Sequence, residues 1–128
     1  MSSHVLDASA LIALLNQEPG ADRLTAEILS TAVGSTVNLA EVQSKLVTDG
    51  MPADKAWRAI LDSVSDVAPF TSEHARIAGT LIAETRPLGL SLGDRACLAL
   101  ALQRNAPVYT ADRTWKKLKL GIQIHVIR

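Results

Sequence analysis

Short apolar runs alternate with longer stretches of helical periodicity along the whole chain. His4–Leu6 reads as a buried strand, and Ala8–Asn16 follows directly with an apolar helical pattern. Gly20 ends that segment, and Ala21–Ser30 places Leu24, Ile28 and Leu29 at helical spacing. Ala32–Val37, rich in small and β-branched residues, predicts a second strand. Leu39–Asp49 predicts a helix with Glu41 in its first turn and Gly50 at its end. Pro52 opens another helix that runs to about Ser65. Its Trp57, Ile60, Leu61 and Val64 form an i, i+3, i+4, i+7 stripe expected to face the core.

Val67–Phe70 predicts a third strand, placed at a sheet edge by Pro69. Thr71 caps a helix carrying Ile77, Ala78, Leu81 and Ile82, which ends before Pro87. Leu88–Leu90 is a loop, and Ser91 caps a long apolar helix to about Gln103. Asn105 and Ala106 turn the chain into a fourth strand at Pro107–Tyr109. Asp112–Leu118 is a short basic helix, Gly121 a turn, and Ile122–Ile127 the last strand.

Strands alternating with helices, with no hairpin signal and no repeat, predict an α/β fold: a parallel sheet covered by helices on both faces. Right-handed crossovers then collect the strand ends at one rim. The helical pair at about 39–65 is an insertion that offers a lid or a partner surface. With 128 residues and no linker, a single domain spanning 1–128 is expected.

Composition changes this picture in three places. Aromatic residues are 3%, so Leu, Ile, Val and Ala must build the core. Thirteen Lys and Arg balance thirteen Asp and Glu, so a nucleic-acid partner would have to be read from local patches. The one cysteine, Cys97, lies in an all-apolar helical run; it excludes an internal disulfide and a thiolate metal cluster, and suggests burial. The amino terminus shows no basic n-region and Asp7 interrupts its apolar stretch, so a signal peptide is not expected, and no run approaches the roughly 18 apolar residues of a membrane span. A soluble, cytoplasmic protein is expected.

Four acids share one local setting. Asp7 follows the first strand, Glu41 follows the second, Asp94 opens the long apolar helix, and Asp112 follows the fourth strand. Each has an ordinary structural use. Asp7 and Asp112 suit N-caps, and Asn38-x-x-Glu41 and Ser91-x-x-Asp94 both fit a capping box. Together they are harder to explain that way, because the topology gathers them at one rim. Two carboxylates about 5 Å apart repel by roughly 3 kcal/mol at an effective dielectric near 20. A divalent cation offsets that cost, and an all-oxygen set suits Mg²⁺ or Mn²⁺ rather than zinc. His4, His74 and His125 are poorly placed to join it. A carboxylate-held cation at a sheet rim usually meets phosphate, and it can activate water and neutralise phosphoryl charge. Ser9 and Thr110 stand two residues from Asp7 and Asp112, where their hydroxyls can orient carboxylates or make local backbone bonds.

The segments Val5–Leu11, Asn38–Val42, Leu90–Ala96 and Tyr109–Asp112 resemble, in order and spacing, the PIN-domain family, and among its members the VapC-type toxins of toxin–antitoxin pairs. The resemblance covers essentially the whole chain. It implies a three-layer α/β/α sandwich with a central five-stranded parallel sheet. It also implies Mg²⁺- or Mn²⁺-dependent endoribonuclease activity, often on tRNA or rRNA, with Asp7, Glu41, Asp94 and Asp112 as the catalytic, metal-holding quartet and Ser9 and Thr110 in support. A homodimer and an inhibitory antitoxin, supplied as a separate chain, are implied as partners.

RNA requires a positive surface. Arg113–Lys119 carries four cations and no acid, and Arg95 and Arg86 flank the third acidic segment. Arg95, Arg113, Lys116 and Lys117 are the candidate strand-binding residues; a solvated basic helix end is the ordinary alternative. Trp115 suits core anchoring better than base stacking. Phosphoryl transfer through an aspartyl-phosphate is disfavoured, because Asp112 stands where that chemistry would use a lysine. Nucleotide binding is disfavoured by the lack of a glycine-rich phosphate loop. A PIN-like scaffold that binds without cutting, or a nuclease of RNA maturation, stays open. So does a choice of one or two metal ions.

Overall fold

In the computed structural model, which describes residues 2–128, five short strands form one parallel sheet. They are β1 (His4–Leu6), β2 (Ala32–Ser35), β3 (Asp66–Ala68), β4 (Val108–Thr110) and β5 (Ile124–Val126), in spatial order β3-β2-β1-β4-β5. The chain winds outward from β1 to β3, then returns across the sheet to β4 and β5. The winding direction therefore reverses between β1 and β4, which pair at Val5 with Val108 and Leu6 with Tyr109. At such a switch point the loops leaving the two strands diverge and open a crevice at their carboxyl ends.

Among the described residues seven helices cover the sheet: α1 (Ala8–Leu15), α2 (Ala26–Leu29), α3 (Thr36–Thr48), α4 (Ala53–Ser63), α5 (Ser72–Thr80), α6 (Ile82–Thr85) and α7 (Leu92–Arg104). Side chains of Asp7, Thr25, Ser35, Thr71 and Ser91 accept the free N–H groups that begin five of them. The two faces of the sheet have separate cores, as the period-2 alternation of strand side chains requires. Leu6 and Tyr109 pack with Leu11 of α1, Leu39 and Val42 of α3 and Ile60 of α4. Val5, Val33 and Val108 pack with Cys97, Leu98 and Leu100 of α7 and with Trp115. Helices on both faces make the α/β/α sandwich that the sequence predicts. Among the described residues no helix is long and apolar enough to cross a membrane.

Several boundaries differ from the sequence expectation, each for a local reason. Thr36 and Val37 are helical, because the Ser35 hydroxyl caps Val37 N–H and the pairing of β2 with β3 ends at Ser35. Glu41 consequently lies in the second turn of α3, and Asn38-x-x-Glu41 is not a capping box. Ala21–Ser30 divides into a 3₁₀ turn at Ala21–Arg23 and α2, since Thr25 starts a new helix. The helix after Thr71 breaks at Leu81 into α5 and α6. Asp112 stands outside a 3₁₀ segment, Arg113–Lys117, as its cap. The largest change concerns the α4 stripe. Ile60 is fully buried, but Trp57 and Leu61 remain 39% and 42% exposed, so only part of the stripe faces the core. β3 occupies an edge of the sheet, as Pro69 suggested.

Trp115 is fully buried, and the indole N–H has no partner. It therefore anchors the basic segment that follows β4 and has no ring face free for a base. Replacing Trp115 by Ala is expected to lower unfolding free energy by about 3–5 kcal/mol in urea titrations. A loss below about 1 kcal/mol would show that this ring is not part of the core.

Candidate active site

Asp7 ends β1, caps α1 and is 3% exposed. Both of its carboxylate oxygens are hydrogen-bonded. Oδ1 accepts from Ala10 N–H at 2.8 Å and from the Ser9 hydroxyl at 2.8 Å. Oδ2 accepts from the Thr110 hydroxyl at 2.6 Å and from Ser9 at 3.0 Å. Both hydroxyls are themselves fixed from the β4 side. Ala111 N–H donates to Ser9 Oγ at 2.8 Å, and Asp112 N–H donates to Thr110 Oγ1 at 3.0 Å. Two backbone amides after β4 are thus relayed through two hydroxyls onto one carboxylate at the end of β1. The switch point is cross-linked by hydrogen bonds.

These bonds favour the ionised carboxylate, but burial outweighs them. Desolvation, with a smaller contribution from the nearby charge of Asp94, raises the Asp7 pKa from 3.8 to about 6. The same neighbourhood is visible from the interior. The Cys97 thiol is pushed well up, first by burial and then by the charges of Asp7, Asp94 and Glu41. Those three charges therefore all lie near enough to act on Cys97 of α7.

Asp94 sits in the first turn of that helix and completes a capping box. Ser91 N–H donates to Asp94 Oδ2 at 2.8 Å, and Asp94 N–H donates to Ser91 Oγ at 3.1 Å. The helix N-terminus offsets part of its charge. Glu41 reaches the site from α3. Its Oε1 accepts from Asn38 Nδ2 at 2.9 Å, and its carboxylate lies against the Cα of Gly93. Asp112 follows β4, and its Oδ1 accepts from both the amide and the hydroxyl of Thr114. Its link to Asp7 runs through its backbone N–H and Thr110.

The profile of the PIN domain matches residues 4–120 of this sequence. This chain belongs to the PIN-domain family. No curated protein sequence matches it significantly. Solved structures share its fold at low identity. The VapBC2 complex of Rickettsia felis, bound to a DNA fragment from its promoter, is 19% identical with a TM-score of 0.75, covering 98% of each chain. VapC20 of Mycobacterium tuberculosis, described as a sarcin–ricin loop cleaving toxin, is 22% identical with a TM-score of 0.75, over 94% of this chain and 99% of that one. VapBC-5 of the same organism is 24% identical with a TM-score of 0.66, over 100% and 99%.

Within this PIN fold the donors at the crevice are oxygen only, which suits a hard divalent cation. Among the described residues no three His, Cys, Asp or Glu side chains already stand together in ligating positions. That spacing still fits Mg²⁺, which is commonly held by one or two carboxylates together with waters and substrate phosphates. The buried Asp7 fits as well, because a cation supplies the positive charge that its surroundings lack.

The remaining candidates are dispersed. Arg95 donates from Nη1 to Ala78 O on α5 at 3.0 Å, and its buried Nε has no partner, so the fold holds it to a helix. Arg113, Lys116 and Lys117 are exposed beside Asp112, with Arg113 Nε donating to the carbonyl of Arg128. The histidines are engaged elsewhere. His4 pairs with Thr31, His74 with Gln103, and His125 stacks on Tyr109. Sequence reasoning missed Asn38 and Gly93 as parts of the site. The available signal was a glycine inside a helix's first turn beside an acid, which marks a close approach.

Burial makes ionised Asp7 a liability in the metal-free fold. Its carboxyl binds a proton more tightly folded than unfolded, so stability falls as pH rises from about 3.8 through about 6. Asp7→Asn removes this titration. In metal-free buffer, urea unfolding should show the variant gaining about 2–3 kcal/mol on wild type between about pH 4 and about pH 7.5. A difference independent of pH would mean that Asp7 titrates as an ordinary carboxylate.

Proposed function

We propose that this PIN-domain chain is a divalent-metal-dependent endoribonuclease, the toxin of a VapC-type toxin–antitoxin pair acting in the cytoplasm. The observation that carries this reading is the Asp7 carboxylate. It is buried at the switch point, held by an amide and two hydroxyls, and accompanied by the charges of Asp94 and Glu41. A fold that only needed a helix cap would not bring the charge of a second acid, Asp94, to bear on that desolvated carboxylate.

Of Asp7, Glu41 and Asp94, one or two would bind the cation directly and the rest through its waters, with Asp112 as the fourth acid, on the segment after β4. A bound Mg²⁺ or Mn²⁺ supplies Lewis acidity toward the scissile phosphate and the attacking water. Ser9 and Thr110 commit their protons to Asp7, so they fix its rotamer and keep both oxygens in place. The amino terminus of α7 lowers the cost of a charged Asp94 beside Asp7. Arg113, Lys116 and Lys117 stand on the segment anchored by Trp115 and supply phosphate contacts along the strand. Arg95, tied to Ala78, contributes through the α5–α7 contact and leaves strand binding to that segment. The fold shared with a toxin described as cleaving the sarcin–ricin loop supports a structured RNA, such as a loop of rRNA or tRNA, as substrate.

An antitoxin on a separate chain is the expected partner, supported by similar folds solved as VapBC complexes. Val47, Trp57 and Leu61 leave apolar surface exposed on the α3–α4 pair, which suits a protein partner better than solvent. A homodimer fits the same reading.

Purified protein incubated with total cellular RNA should give discrete fragments with Mg²⁺ or Mn²⁺ and none with EDTA. Asp7→Asn should lower the cleavage rate at least about a hundredfold. RNA that is bound but left uncut with either metal would replace the nuclease with a non-cleaving scaffold. Cleavage that persists undiminished in Asp7→Asn would put the active site elsewhere.

The basic segment has its own check. Lys116→Glu with Lys117→Glu should weaken RNA binding across sequences, and the slope of log affinity against log salt should fall by about 0.7 for each phosphate that the variant no longer neutralises. An unchanged slope would remove this segment from the interface.

A further inference from the structure

Asn38 is 1% exposed, and its side-chain amide bridges two helices. Nδ2 donates one proton to Glu41 Oε1 and the other to the carbonyl of Gly93, both at 2.9 Å. Both amide protons are used, while the buried Oδ1 has no partner. The opposite orientation would press Oδ1 against a carboxylate and a carbonyl, so the amide has one tenable orientation. An orphaned buried acceptor costs stability, and an apolar side chain at this position would avoid it. The arrangement is explained by what the amide holds.

It holds Glu41. That residue is exposed on the second turn of α3, and a free glutamate there would sample several rotamers in water. Gly93 completes the seat. A methyl group on its Cα would come within 2.5 Å of both Glu41 carboxylate oxygens, so the carboxylate fits there only because residue 93 has no side chain. Gly93 directly precedes Asp94. The contact therefore fixes Glu41 relative to the residue that carries the next acid of the crevice.

We infer that Asn38 and Gly93 are positioning residues. The Asn38 amide and the bare Gly93 Cα form a seat that locks the Glu41 carboxylate beside Asp94, in register for a divalent cation. The inference rests on the nuclease reading in one respect, that Glu41 faces the metal. It leaves the substrate and the partner open.

The test is Mn²⁺ binding to the full-length, metal-free protein, measured by calorimetry with no RNA present. Asn38→Ala should weaken Mn²⁺ binding by about 10–100-fold. In a Glu41→Gln background the same change should add less than about twofold, because its effect runs through Glu41. Gly93→Ala is the second variant. Its methyl displaces only the end of a flexible side chain, and alanine favours a helix over glycine, so thermal stability should hold or rise while Mn²⁺ affinity drops at least about tenfold. That opposition of stability and affinity is not expected of a merely structural role.

Wild-type Mn²⁺ affinity in Gly93→Ala, or in a folded Asn38→Ala, would overturn the seat and leave the nuclease reading standing. An equal loss from Asn38→Ala with and without Glu41 would overturn it too, since Asn38 would then act through the α3–α7 contact alone. Should Asn38→Ala fail to fold, Gly93→Ala decides. A wild-type protein that binds no Mn²⁺ would overturn both this inference and the metal-dependent nuclease.

Discussion

The hydrogen bonds that run from the backbone after β4, through Ser9 and Thr110, to the Asp7 carboxylate hold together the two strands where the winding of the sheet reverses. The loops leaving them diverge, yet the base of the crevice stays joined, because one buried acid collects donors from both sides. The same acid caps α1 through Ala10 N–H, so strand pairing, helix start and site geometry share one side chain. Burial raises its pKa to about 6, against the pull of its own hydrogen bonds. The fold holds a charge that it does not fully compensate, which is a common condition for a group whose partner arrives with function.

The second organising contact is the approach of α3 to the first turn of α7. Leu39 and Val42 bury the inner side of α3, which brings Asn38 and Glu41 to the amino end of α7. Gly93 allows the helices to meet with a carboxylate between them. Capping again coincides with an effect on the crevice, because Asp94 closes its own capping box while its charge acts on Asp7. Structural and chemical uses of these acids are therefore compatible. Choosing between them residue by residue, as a sequence invites, poses the wrong alternative for Asp7 and Asp94.

Much of this was legible in the sequence. The β1–α1 junction, the capping of α5 and α7 by Thr71 and Ser91, the burial of Cys97 and the edge position of β3 follow from local pattern and are found as expected. Local pattern failed where tertiary context overrode it. Thr36 and Val37 have β-prone side chains, yet they open α3 because Ser35 ends the strand pairing and caps the helix. Trp57 and Leu61 match a core stripe, yet α4 rests on the molecule along Ala56 and Ile60 and leaves them outside. Periodicity reports which side chains could share a face; how far a neighbouring surface extends over that face lies outside it.

The sequence by itself determined the alternation of strands and helices, the burial of most apolar positions, and the presence of four acids and two hydroxyls after strand ends or at helix starts. These depend on residues close together in the chain, where spacing alone sets the geometry. Tertiary structure decided the strand order, and with it the pairing of β1 and β4 that gives Asp7 its donor from Thr110. It also decided that Glu41 is seated by Asn38 against Gly93, a contact across 52–55 residues that requires two helices to approach within the width of a missing methyl group. Burial is a property of surroundings assembled from distant segments. The sequence therefore marks the place of Asp7, while the packed fold sets its chemistry.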